Sequence, residues 1–182
     1  MAQVIRRVVT GHDEQGRSRV IIDGIADTIV EMGFGSTVTE MWATTEPLPD
    51  NSGNEDAARA APSLRTPPPG GDKFRIIEFA PLEKVAMKAM DERLARNMQS
   101  GKMRGSMKGH LHRSETLDYA IVVRGEIWHL TEVDEIHLKQ GDVLIQRGTY
   151  HAWQNRAKEP ALLAMILKDA QPLYDGDQGG KL

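Results

Sequence analysis

The chain has 182 residues, a formal net charge of −3 and no cysteine, with an isoelectric point near 6.1. That length suits one domain with its own core. The acidic balance excludes a general nucleic-acid binder, which needs a basic surface to displace counterions from phosphates, and the cysteine count excludes disulfides, thiolate metal sites and thiol nucleophiles.

In chain order, Val4 to Thr10, a polar HDEQGR turn and Arg19 to Asp23 read as a β-hairpin, and Thr37 to Trp42 alternates with the period of a half-buried strand. The opening residues have no apolar stretch of signal-peptide length. The longest apolar run, Ala161 to Leu167, is too short to cross a bilayer, so a cytoplasmic protein with no membrane partner is expected. From Pro47 to Gly71 the composition turns to Pro, Gly, Ala, Asn and Asp, which leaves little apolar area to offset chain ordering and predicts a mobile loop. Lys73 to Ala80 reads as a strand. Leu82 to Ser100, rich in helix formers, predicts a helix over 82–100 with Met87, Met90, Leu94 and Met98 on one face.

That helix and the segment after it, to Arg113, carry eight basic against three acidic residues and five of the nine methionines. They form either a lid that attracts an anionic ligand or a helix packed outside the core with a solvated basic face. After Gly109 come short strands separated by turns, in the spacing of an all-β sandwich or barrel. The Gly- and Asp-rich tail after Asp169 is expected to fray.

His110 and His112 stand two apart on a predicted strand, so their imidazoles share a face and are able to share one ion. Asp118 begins the run DYAIVVRG, closed by Gly125. Gly141-Asp142 opens a second unit, Gly148 marks a turn, and His151 and Asn155 follow in HAWQN. In these residues the chain resembles the cupin superfamily. Its first motif has a His-x-His pair, an acid a few residues on and a glycine seven after the acid; its second runs from Gly-Asp through a Pro-x-Gly turn to a histidine and an asparagine. The first motif maps onto His110, His112, Asp118 and Gly125, the second onto Gly141, Gly148, His151 and Asn155, and the match covers roughly Met107 to Leu167. The chain departs from the pattern in having Asp for the usual Glu, six residues after His112, and Gln146-Arg147-Gly148 where the family has a proline turn.

The resemblance implies an all-β fold with one accessory helix, a double-stranded β-helix or jelly-roll barrel. Residues 1–72 would complete the barrel or a dimer, 73–170 would form the barrel with helix 82–100, and 171–182 would be a flexible tail. It implies one divalent transition metal ion held by His110, His112, Asp118 and His151, with Glu115 as a rival carboxylate in the turn RSET. A set of imidazoles and one carboxylate suits Fe, Mn, Ni, Co or Zn without choosing among them.

Around the metal, Trp153 shares strand parity with His151 and either walls a substrate pocket or packs in the core. Arg147 and Tyr150 precede His151 and would meet a substrate carboxylate or hydroxyl. His129 and His137 lie on the intervening strands, where one would serve as a general base if it faced the cavity; an ordinary structural place is the default for both, and for His12 a solvated turn. Tyr119, Ile121 and Val123 make the far face of the Asp118 strand apolar, so the N-terminal strands or a second subunit should cover it, and a homodimer is expected. The expected function is a metal-dependent enzyme acting on a small oxygenated metabolite, carboxylated or aromatic, of reaction type dioxygenase, isomerase, lyase or decarboxylase. The alternatives are a non-catalytic cupin that binds a small ligand and a structural partner with a vestigial site.

Overall fold

The computed structural model describes residues 3–33, 35–59, 66–85, 103–105 and 111–173. Their regular secondary structure is almost wholly strand. The N-terminal hairpin is β1 (Arg6–His12) and β2 (Ser18–Ile25), followed by β3 (Ile29–Gly33), β4 (Ser36–Ala43) and β5 (Asp72–Phe79). Short β6 (Met103–Gly105) and β7 (His112–Ser114) precede β8 (Thr116–Arg124), β9 (Glu126–Leu130) and β10 (Glu135–Lys139). The chain continues through β11 (Val143–Arg147) and β12 (Ala152–Gln154) to β13 (Ala161–Asp169). No helix of the described residues is long and apolar enough to cross a membrane.

Two layers face each other. One is a six-stranded sheet in the order β11-β8-β13-β5-β4-β3, antiparallel at every pairing; the other is the three-stranded β10-β9-β12. The pair β6-β7 extends the smaller layer, because His112 and His151 exchange both backbone hydrogen bonds at 2.9 and 2.8 Å. This is the expected jelly roll. Strands β3 and β4 lie in the same sheet as β5, β8 and β13, while β1 and β2 pair as a separate two-stranded sheet.

The alternation read in β8 sets the inside. Thr116, Asp118, Ala120 and Val122 are buried while Tyr119, Ile121 and Val123 are exposed. The apolar end of the interior is formed by Ala120, Val122, Ile127, Leu138, Leu163, Met165 and Leu167. Gly125 turns β8 into β9 at φ 77°, a conformation costly for residues with a Cβ, and an added Cβ would stand 3.2 Å from the Pro160 oxygen.

The helix expected over 82–100 does not begin as an α-helix. Leu82–Lys84 is one 3-10 turn after Pro81, and Val85 is already extended at φ −98°, ψ 124°; residues 86–100 lie outside the described residues. The predicted loop 47–71 is pinned along its described part. Arg7, itself buried, makes a bidentate pair with Asp56 at 2.8 and 2.5 Å and also donates to the Met41 carbonyl, Arg59 pairs with Asp27, and Pro67 is fully buried.

The N-terminal strands cover only part of the outer sheet face, where Ala26, Met41, Ile76 and Leu162 pack with Ile5 and Ala164. Beside that patch Tyr119, Ile121, Val143, Ile145, Ile166 and Phe74 stay 36–58% exposed. Ladder pairs Val143↔Ile121, Ile145↔Tyr119, Tyr119↔Ile166 and Ile166↔Phe74 make them neighbours.

Candidate functional site

Three imidazoles converge on the inner side of the small layer. The bridge between β7 and the residue before β12 sets His112 and His151 directly opposite each other, with ring centroids 4.4 Å apart. His129, on β9, stacks on His151 at 5.7 Å and 9° and meets Trp153 edge-on at 4.6 Å. His151 is 4% exposed and His129 3% exposed.

Burial, then the neighbouring His112, holds the His151 pKa well below the usual histidine range, and burial lowers that of His129; both rings are neutral near pH 7. The Nδ1 of His151 lies 2.9 Å from the Thr149 carbonyl, which only accepts, so this nitrogen carries the hydrogen and Nε2 keeps its lone pair.

Asp118 is also inside, 2% exposed, on the neighbouring β8. Its Oδ2 accepts from Gln146 Nε2 at 2.6 Å across the Gln146↔Asp118 ladder pair, and its Oδ1 is buried with no hydrogen-bond partner among the described residues. Burial outweighs the hydrogen bonds from Thr116 and Gln146 and the charge of Arg75, and pushes the carboxyl up to about 6. The other end of Gln146, its Oε1, meets His129 Nε2 at 3.2 Å. Asp118, Gln146 and His129 are therefore one hydrogen-bonded chain. Among the described residues no three His, Asp or Glu side chains form a ready metal-binding group; His110, the remaining expected ligand, lies outside them.

Deeper along the same wall, Lys73, Arg75 and Glu40 form a buried ion cluster. Glu40 Oε1 accepts from Arg75 at 2.7 Å and from Lys73 at 3.2 Å, with all three side chains at most 4% exposed. Burial lowers the Lys73 pKa, with the charge of Arg75 acting in the same direction.

The remaining expected residues are dispersed by strand parity. Arg147 is exposed on the face of β11 opposite Gln146, and with Arg113 and Glu115 lines an outer cleft of about 270 Å³, not the barrel interior. Tyr150 is half-buried beneath the Arg113 guanidinium, 5.0 Å from its ring centroid. Glu115 sits in the bend between β7 and β8, away from the His112–His151 pair. Trp153 packs on the apolar core and stands against His129. His137 is paired outside with Glu126 at 2.8 Å and stacked on Trp128.

Sequence reasoning undervalued His129 and did not single out Gln146 or the Glu40 cluster. One signal for His129 was available: in EIWHL it shares parity with Ile127, which is wholly buried.

The motif residues around the site hold the backbone. Gly148 sits at φ 61° in the turn before His151. The buried Asn155 donates through Nδ2 to the carbonyls of Phe79 and Glu159, each at 2.8 Å, and accepts from Ala157 N–H.

No protein-family model matches the chain. Among curated proteins it is 29% identical over 175 residues to phomopsin biosynthesis cluster protein C′ of Diaporthe leptostromiformis, covering 92% of this chain and 79% of that protein. It is 26% identical over 182 residues to the cupin-domain-containing oxidoreductase fogC of Aspergillus ruber, covering 96% and 76%. A shorter match, 42% identical over 69 residues, joins 37% of the chain to 38% of oryzines biosynthesis cluster protein J of Aspergillus oryzae. Solved structures that resemble it include the Schizosaccharomyces pombe Cnp3 cupin domain, with TM-score 0.45 at 11% identity over 90% of this chain and 87% of that one. Another is an RmlC-like cupin from Shewanella frigidimarina, with TM-score 0.42 at 13% identity over 79% and 84%.

A jelly roll with His112 lying opposite His151 across a strand bridge is the arrangement that the cupin resemblance implies. The chain is similar to the cupin superfamily, and the relatives it resembles over nearly its whole length include fungal cupin-domain-containing oxidoreductases.

Proposed function

We propose that the chain is a metal-dependent cupin enzyme of the oxidoreductase kind, acting on a small oxygenated metabolite inside the barrel. The observation that carries this is the His112–His151 pair, buried at His151 and set so that the Nε2 lone pair of His151 is free for an ion. The donor set fits a divalent transition metal: imidazole nitrogens and the buried Asp118 Oδ1, with Gln146 steadying the carboxylate from behind. His112, His151, Asp118 and His110 would hold it, and it would supply Lewis-acid polarisation of an oxygen or, as iron, dioxygen chemistry. The chain's own residues orient the bound molecule against Trp153 and exclude water with the apolar cluster above it. The names of the curated relatives support an oxidoreductase; the absence of a three-ligand group among the described residues is what favours the alternative, a small-molecule binder.

Elemental analysis of the full chain, purified without tag or chelator, decides between them. Near one transition-metal ion per chain is expected, falling to near none in the His112→Ala, His151→Ala double variant. A metal-free wild type, or a double variant that keeps its metal, overturns the enzyme reading.

We also propose that the open face of β8, β11 and β13 is covered by a second copy of this chain. Its six large side chains expose on the order of 400 Å² of contiguous apolar area, about half of what each partner of a stable pair buries, and a two-fold interface needs only one self-complementary face. Sedimentation velocity should show a dimer at micromolar concentration and a monomer for Ile145→Glu. A monomeric wild type contradicts the proposal.

A further inference from the structure

We propose that His129 is the hydroxyl acceptor of the barrel: its Nδ1 takes the hydrogen of a phenol-like or enolic ligand, and Asp118 acting through Gln146 holds the ring in the tautomer that leaves this nitrogen a lone pair. The inference rests on the reading above that the barrel receives a small molecule, and it narrows the class of that molecule.

The Asp118 carboxylate accepts, so it faces the amide nitrogen of Gln146, at 2.6 Å. The amide oxygen is thereby turned to His129 Nε2, which must carry the ring hydrogen to bond it. Nδ1 is then an acceptor, and it is buried with no partner among the described residues. Its neighbour His151 cannot supply one, because the ring hydrogen of His151 is engaged by the Thr149 carbonyl. Buried polar atoms are almost always satisfied, so an orphan acceptor fixed in place on the inner wall marks where a donor from outside docks. The surroundings select the rest of the ligand. His129 stands edge-on to Trp153, which lies 6.2 Å from Phe79, and the apolar cluster packs behind them. A planar apolar body with one hydroxyl matches that wall.

The test uses the full chain stripped of metal, with phenol and its methyl ether anisole as probes and the imidazole ¹H–¹⁵N resonances as readout. Wild type should show His129 protonated at Nε2. Phenol should shift its Nδ1 signal and bind about tenfold more tightly than anisole, the worth of one well-placed hydrogen bond to a buried acceptor. The preference should shrink to within about twofold in His129→Phe, and Gln146→Met should relax the tautomer. An Nδ1-protonated ring in the wild type, equal affinity for both probes, or a preference that survives in His129→Phe overturns the proposal. Metal content measured before stripping separates the two readings: a phenol preference in a wild type that holds no metal as purified sustains this inference while the metal reading fails.

Discussion

Replacing Glu40 with leucine is expected to lower the melting temperature by roughly 6–20 °C, the largest effect foreseen for a single substitution outside the histidine pair. Glu40 accepts from both Lys73 and Arg75 inside the barrel wall, and its removal takes away a carboxylate that offsets the burial of these cations. Removing one partner of a buried ion pair costs about 3–5 kcal/mol, because desolvation of the survivor is no longer offset. Adding Arg75→Met to Glu40→Leu should recover part of the loss, since an apolar replacement of both partners avoids the stranded charge. Differential scanning calorimetry of the wild type and the two variants reads this directly. A Glu40→Leu protein that melts with the wild type would mean that the cations are balanced without Glu40.

Asn155→Ala is expected to cost about 2–4 kcal/mol, or roughly 4–16 °C in melting temperature. One side chain, 2% exposed, satisfies the carbonyls of Phe79 and Glu159 and the amide of Ala157, while the backbone carbonyl of Asn155 accepts from Leu82 N–H at 2.6 Å. It ties the exit of β12 to the end of β5. Truncation leaves three backbone groups without that partner. Asn155→Asp should be no milder, because a carboxylate cannot donate to either carbonyl. Chemical denaturation with equal m-values would show that native-state stability alone has changed; an Asn155→Ala midpoint equal to the wild type's would show that water replaces the amide at no cost. The asparagine of the second motif is thus a backbone clamp beside the site, two residues beyond Trp153.

Several features of the site were legible in the chain. In DYAIVVRG the period of two placed Asp118, Ala120 and Val122 on one face, and that face is the interior. The two motifs located β8 and the turn before His151, and the apolar far side of β8 announced a surface in need of cover, which the N-terminal strands only partly supply. The accessory helix was the weakest expectation. Leu82 follows a proline and suits helix by propensity, yet Leu82–Lys84 closes only a 3-10 turn, with Leu82 N–H drawn to the Asn155 carbonyl. A long-range bond of that kind has no local signature.

Strand β5 shows where pattern reading stops. KFRIIEF alternates charged with apolar, and alternation alone would turn Phe74 and Ile76 inward. Lys73 is 1% exposed and Phe74 36%, because the cations meet Glu40 across the ladder pair Glu40↔Arg75. Period two states that neighbours oppose each other; it does not state which side is inside when both faces are partly covered.

By itself, then, the sequence determined the all-β class, the order of the motif strands and the parity of every residue along β8, since these follow from local periodicity and turn chemistry. Only the tertiary structure decided that His112 lies opposite His151, that Gln146 couples Asp118 to His129, and that Glu40 meets Lys73 and Arg75 inside the wall. Each of those contacts joins strands distant in the chain, and its partner is chosen by sheet register, which no local window of residues encodes.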